Sequence, residues 1–250
     1  MSNEKMKPFT GPPLADPGFE VGGRKATFVL IVCSALYMVN YMDRQVLSVV
    51  LEPMKHDLGL SDAQAGLLQT GFLISMGLFA IPLSYLVDRW SRSKAISLMA
   101  VFWSAATFVT GLGKSFLGVF IPRVLTGTGE AAFSSGAIAL ISASYPEQDR
   151  SKKLAVYNLF LLFGVAAGMI LGGHLSAHHG GWRTPFFVFA VPGVILGVFA
   201  WFMQDYKNPS GADIPAREPS GADALARKLS GADTPARKLS TCSPKYGNIF

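Results

Sequence analysis

Hydrophobic positions in this chain run together rather than alternating. Six apolar stretches, at residues 26–50, 63–86, 95–112, 117–142, 154–175 and 185–203, are separated by short polar links. Crossing the hydrocarbon of a bilayer takes about 20 helical residues, with a range of roughly 17–25, and all six stretches are near that length. In lipid the backbone is satisfied only in helices or closed barrels, and none of the stretches has a barrel's two-residue period. The pattern predicts an all-α membrane protein, a bundle of six transmembrane helices.

The flanks differ in kind. Residues 1–25 are polar and broken by Gly11-Pro12-Pro13, Pro17-Gly18 and Gly22-Gly23, which predicts a flexible leader. The apolar run that follows is too long for a signal peptide and lacks a small-residue cleavage pattern. Residues 204–250 carry a ten-residue unit three times, at 209–218, 219–228 and 229–238, each containing Ser-Gly-Ala-Asp and Ala-Arg. A unit this short, cut by Pro and Gly, buries little, and it reads as a disordered low-complexity tail. Residues 26–203 are then the membrane domain.

Charge fixes an expected orientation. With the N-terminus inside, the cytoplasmic flanks hold Arg24, Lys25, Arg89, Arg92, Lys94, Arg150, Lys152, Lys153 and Lys207, and the opposite flanks only Lys55, Lys114 and Arg183. This satisfies the positive-inside rule and puts both termini in the cytoplasm. Only 15% of residues are charged and mean hydropathy is positive, against about 25% charge in soluble domains. The basic residues fall in loops and form no face of a soluble domain, so nucleic acid is not an expected partner. Cys33 and Cys242 cannot form a disulfide framework.

The first apolar stretch contains Asn40-Tyr41-Met42-Asp43-Arg44. Each charge would cost roughly 2.5–3.5 kcal/mol at the bilayer centre, so both must face protein or water, and such residues mark functional sites by default. Tyr37, Asn40, Tyr41 and Arg44 share one helix face, with Asp43 on its edge. Adjacent Asp43 and Arg44 cannot pair with each other in the simple one-turn manner, so partners are expected on another helix. The fourth stretch supplies Arg123 and Glu130, seven residues apart on one face with Gly127 between them. The four charges sum to zero. Such a quartet can relay protons, because protonating one carboxylate leaves an arginine free to hold an anion. It can also be a purely structural ion-pair network.

Between the second and third stretches lies Ser84-Tyr-Leu-Val-Asp88-Arg89-Trp-Ser-Arg92-Ser-Lys94. It resembles the Gly-x-x-x-Asp-Arg-x-x-Arg-x-Lys signature of the major facilitator superfamily, with Ser84 in place of the opening glycine. Arg123 to Gly129 resembles that family's fourth-helix Arg-x-x-x-Gly-x-Gly motif, and Gly181-Trp182-Arg183-x-Pro185-Phe186 another of its recurrent elements. Asn40 to Arg44, Gly66-Leu-Leu-Gln69-Thr70 and Gly127-Thr-Gly-Glu130-Ala131 are similar to the Spinster branch, which is implicated in export of lysolipids or sphingoid phosphates. The resemblance implies that Asp43, Arg44, Arg123 and Glu130 couple protons and hold substrate. Tyr37, Asn40 and Tyr41, on the face of Arg44, and Gln69 in the second stretch are candidates for lining a cavity. The resemblance gives the loop of Asp88, Arg89, Arg92 and Lys94 a latching role against the other half of a transporter.

In the fifth stretch Gly164, Gly168 and Gly172 stand four apart and form a smooth face for close helix packing. The family's antiporter motif has a proline there; this segment has none, so antiport is not inferred. His174 and His178 have a spacing that can bind metal, but no carboxylate or cysteine lies near them or His179, and no metal or cofactor is expected. The sequence thus predicts the N-terminal half of a proton-coupled transporter of a small organic anion or lysolipid-like molecule, not an enzyme. Its expected partners are the lipid bilayer, a small-molecule substrate, protons, and a second half, either a homodimer mate or a C-terminal half lost by truncation. The alternative is a non-transporting half-bundle that acts as a membrane interaction protein or is inert.

Overall fold

Each apolar stretch becomes a helix whose ends are written in capping residues. In a computed structural model that describes residues 20–178 and 180–205, α1 spans Gly23–Leu58, α2 Asp62–Arg89, α3 Arg92–Gly111, α4 Phe116–Glu130, α5 Phe133–Ser144, α6 Glu147–His178 and α7 Thr184–Trp201. The rest of the leader, His179 and the tail repeats lie outside the described residues. α1 stops where Gly59 takes the left-handed conformation, φ 62°, which glycine adopts without steric cost. Ser61 then opens α2 with a capping box: its side chain accepts from the Gln64 backbone N–H, and the Gln64 side chain accepts from the Ser61 N–H at 3.0 Å. The Ser91 and Ser115 side chains cap α3 and α4 by accepting from the Lys94 and Gly118 backbone N–H groups. Glu147 and Asp149 favour the start of α6, and Pro185 that of α7.

Six of these units are long and apolar enough to cross a membrane, because α4 and α5 together make one crossing over Phe116–Ser144. The sequence predicts that crossing as one continuous stretch, 117–142; the backbone instead breaks at Ala131 and Ala132, directly after Glu130. The cause is local. Gly127 and Gly129 are weak helix formers, and the Thr126 and Thr128 hydroxyls donate back to the carbonyls of Pro122 and Val124 at 2.9 and 3.1 Å, a bond that bends helices.

α1 is the centre of the bundle. It packs along α6 and also touches α7 and α5, while α3 lies between α4 and α7, and α2 packs on α4. One apolar cluster, around Leu36, Tyr37, Trp103, Phe133 and Tyr157, fills the half nearer the start of α1. A second, around Val46, Leu47, Met54, Phe186 and Phe189, fills the other half. α2 and α6 bury few residues, and their outer faces expose large apolar side chains such as Leu78, Ile81, Leu162 and Ile170.

The α6–α1 seam is set by small residues. A Cβ on Gly164 would overlap the Met38 carbonyl oxygen, and one on Gly168 would lie 2.9 Å from Met42 Cα. Only glycine lets the two backbones approach so closely. At Gly172 the nearest atom would be Val46 Cγ2 at 3.4 Å, an ordinary contact.

Candidate functional site

Asp43, Arg44, Arg123 and Glu130 come together between the two apolar clusters. α1 presents the first two and α4 the others, with α4 held against α2 where Gly127 leaves no room for a Cβ beside Ser75 and the Phe72 carbonyl. Arg44 Nε donates to Glu130 Oε2 at 2.8 Å. The Glu130 side chain is fully buried, while 20% of the Arg44 side chain remains exposed. Arg123 is buried and makes no salt bridge among the described residues; its Nη1 reaches the Asp43 backbone carbonyl at 3.4 Å. The Asp43 carboxylate accepts from Thr107 Oγ1 of α3 at 3.4 Å. The quartet is thus one tight ion pair, Arg44–Glu130, beside a looser couple.

Both arginines lie on one aromatic ring. The Arg123 guanidinium is 4.8 Å and that of Arg44 5.8 Å from the centroid of Phe72, and Arg44 also covers Tyr41 at 4.9 Å. The ring's negative face favours a cation where water is scarce. Several polar atoms around the pair are buried without a hydrogen-bond partner: Asp43 Oδ1, Glu130 Oε1, Arg123 Nε and Nη2, and both amide atoms of Asn40. Unsatisfied buried groups of this kind are costly in a static core and fit a site that exchanges partners.

Arg44 opens onto a cleft of about 260 Å³, lined also by Gln45, Ser48, Gln69, Leu51 and Phe72. Its lining mixes the polar Arg44, Gln45, Ser48 and Gln69 with the apolar Leu47, Leu51, Phe72 and Leu73. Of the residues singled out in the sequence, Arg44 and Gln69 line it. Tyr37 does not: it stacks on Tyr157 of α6 with ring centroids 4.2 Å apart, inside the apolar core. Asn40 is fully buried. Tyr41 is half-buried, edge-on to Tyr37 at 5.0 Å.

Sequence reasoning missed Thr107 and Phe72. Thr107 left a faint signal, a hydroxyl inside an apolar stretch; Phe72 left none. Gln45 and Ser48 were visible only as interruptions of apolarity.

The loop signature forms its own small network at the end where α1 begins. Asp88 Oδ1 pairs with Arg92 Nη2 at 2.6 Å, the Arg89 guanidinium covers Tyr85 at 4.5 Å, and Lys94 Nζ lies 5.7 Å from the Trp201 ring. At the opposite end Asp57 Oδ2 accepts from Trp182 Nε1 at 3.0 Å and from Arg183 Nη1 at 2.7 Å. His174 and His178 stack at 4.6 Å one turn apart.

Comparison with known proteins gives a consistent picture. The sequence model described as Major Facilitator Superfamily matches residues 33–240. Protein spinster of Drosophila melanogaster is 34% identical over 184 residues, 73% of this chain and 30% of that protein. A sphingosine-1-phosphate transporter of Xenopus tropicalis is 34% identical over 162 residues, 64% of this chain and 32% of that one. Among solved structures, a bacterial homolog of the human lysosomal transporter Spinster, inward-facing and occupied, superposes with a TM-score of 0.69 at 26% identity, over 77% of this chain and 47% of that one. The chain spans about a third of the length of these curated relatives.

Proposed function

The chain belongs to the Major Facilitator Superfamily, and from that premise we propose that it forms one six-helix half of a proton-coupled secondary transporter for a small organic anion or lysolipid-like molecule. The observation that carries this reading is the Arg44–Glu130 pair at the edge of the cleft, one partner partly exposed and the other buried. With Glu130 ionised, the Arg44 cation is neutralised. Protonation of Glu130 removes the charge-assisted bond, and Arg44 can then attract an anion entering past Gln69. Loss of the proton on the other side of the membrane returns Arg44 to Glu130 and expels the anion. A buried charge left without its partner costs several kcal/mol, so proton and anion bind together and leave together. Asp43 and Arg123 are the second couple of the relay, with Arg123 kept in place by Phe72 and the Asp43 carbonyl. A phosphate-bearing amphiphile suits a cleft whose lining combines a guanidinium and two amides with Leu51 and Phe72; a relative's name specifies sphingosine 1-phosphate.

Alternating access needs two bundles that rock about a shared site. The second is either another copy of this chain or a C-terminal half, docked on the exposed apolar faces of α2 and α6. The N-terminus and the α2–α3 loop would face the cytoplasm by their charge.

The test is proton movement driven by lysophosphatidic acid or sphingosine 1-phosphate in proteoliposomes, with this chain paired with a second bundle. Glu130→Gln should abolish coupled proton flux while leaving expression and folding intact. Asp43→Asn should do the same. Unchanged coupled flux in either variant removes that residue from the mechanism. The competing reading, a half-bundle that binds without transporting, predicts a stable complex by native mass measurement and no flux from either wild type or variants.

A further inference from the structure

A cavity of about 810 Å³ lies away from the charged quartet, at the end of the bundle where α1 begins, between the first turns of α1 and the α5–α6 turn. Its mouth carries two basic side chains, Arg24 and Lys153, against one acid, Asp149. Arg24 is exposed and pairs with no acidic group among the described residues. Lys153 is held over the Tyr145 ring, 5.1 Å from its centroid. A second cavity of about 390 Å³ lies on the other flank of the same turn and shares Arg24 and Phe28 with the first.

The floor is polar and incompletely satisfied. α1 starts after Gly22 with no side-chain cap and no acidic residue in its first turn, so its leading N–H groups carry no capping side chain; the acids nearby are Asp149 on the cavity wall and Glu20, which is paired with Lys25 at 2.9 Å. The Gly22 N–H itself donates to the Ser144 carbonyl at 2.8 Å and closes the back wall. Tyr145 lines the cavity, is 5% exposed, and its hydroxyl is buried without a hydrogen-bond partner.

Below the basic mouth the walls turn apolar. Arg24, Phe28 and Ile31 follow one another on one face of α1, and Phe28 and Ile31 are exposed within the cavity. On α6 the same order holds from Lys153 to Val156, one turn deeper and exposed. Two neighbouring helices therefore offer the same vertical sequence, cation at the membrane surface and bare apolar ridge beneath it. A free phosphate would use only the upper half of such a slot.

We propose that this slot binds one anionic phospholipid, its phosphate between Arg24, Lys153 and the start of α1, and an acyl chain along Phe28 and Ile31. Tyr145 offers the phosphate or glycerol oxygens a hydrogen bond. The site is separate from the Arg44 cleft and does not depend on transport.

Native mass spectrometry of the full chain in mild detergent tests it, with phosphatidylglycerol or phosphatidylcholine of matched acyl chains added. Wild type should retain phosphatidylglycerol in preference to phosphatidylcholine. Arg24→Gln and Lys153→Gln should each weaken that retention about five-fold, the worth of one basic group near an anionic lipid. Lys152→Gln, which loses the same charge one residue away and outside the cavity, should leave it unchanged. Phe28→Ala should lower retention with no change of charge, and Arg24→Lys should restore most of what Arg24→Gln loses. Equal retention of the two lipids overturns the proposal. So does a Lys152→Gln loss equal to that of Lys153→Gln, which would mean diffuse surface charge. Displacement of the lipid by excess glycerol 3-phosphate would assign the site to soluble phosphates instead and equally overturn it.

Discussion

At the scale of single residues, the site is organised by how each buried charge is satisfied. Asp43 has one hydrogen bond to its side chain, from Thr107 at 3.4 Å, and its other oxygen has none. Removing that donor strands a buried carboxylate, which costs about 1–3 kcal/mol or more for a charged group. Thr107→Val keeps the side-chain shape and removes only the hydroxyl. It should lower the thermal midpoint of the purified protein by several degrees, whereas Thr107→Ser should stay near wild type; equal midpoints for Val and Thr would show that Asp43 draws nothing from the bond. The charges themselves were legible in the sequence, because an acid or arginine in a membrane helix is costly enough to stand out. Their pairing was not. Spacing placed Arg123 and Glu130 on one face, but only the packing of α4 against α1 selects Arg44 as the partner of Glu130. Phe72 was illegible for a related reason: a phenylalanine in an apolar helix is ordinary, and its role appears only when two guanidinium groups lie on its ring.

At the scale of elements, the seam between α6 and α1 turns a pattern into a graded expectation. The four-residue glycine spacing predicts close packing without saying which glycine is the tightest. A methyl at Gly168 would meet Met42 backbone atoms at 2.9 Å, whereas at Gly173 its nearest neighbour is Val49 Cγ1 at 3.4 Å. Gly168→Ala must push the helices apart and should destabilise by about 1–3 kcal/mol, as overpacking does. Gly173→Ala meets only a side chain, and it should be neutral or stabilise by up to about 1 kcal/mol through helix propensity. Thermal or denaturant unfolding of the two single variants measures the contrast; effects of the same sign and size would mean that the seam relaxes freely. Helix positions were the most legible feature of the chain because length and apolarity dictate them. The break between α4 and α5 was not, since hydropathy is blind to threonine hydroxyls that compete for backbone carbonyls.

At the scale of the whole bundle, links among the described residues are tied at both ends, by different chemistry. At the end where α1 begins, the ties are mostly backbone: Gly22 N–H to the Ser144 carbonyl, and Ser93 N–H to the Asp205 carboxylate. At the other end one carboxylate accepts two bonds, and one of its donors carries the tie further. Asp57, at the end of α1, accepts from Trp182 and Arg183 of the α6–α7 link, and Arg183 Nη2 extends to the Gly113 carbonyl in the α3–α4 link at 3.2 Å. Arg183 also stacks over Trp182 at 4.1 Å, so ring, guanidinium and carboxylate hold one another in register. Each pairwise bond is half-exposed and weak alone; together they join the end of α1 to the α6–α7 and α3–α4 links. Asp57→Asn keeps the shape and part of the hydrogen bonding but removes the charge, and Arg183→Gln removes the branch to Gly113. Both should speed deuterium uptake in the α3–α4 and α6–α7 links while leaving the middle of α1 and α3 protected. The wild-type difference should shrink in high salt, because exposed ion pairs are screened. If Arg183→Gln leaves uptake around Gly113 unchanged, the α3–α4 link is held by its own helix caps at Leu112 and Ser115, and the clasp joins only α1 to α7.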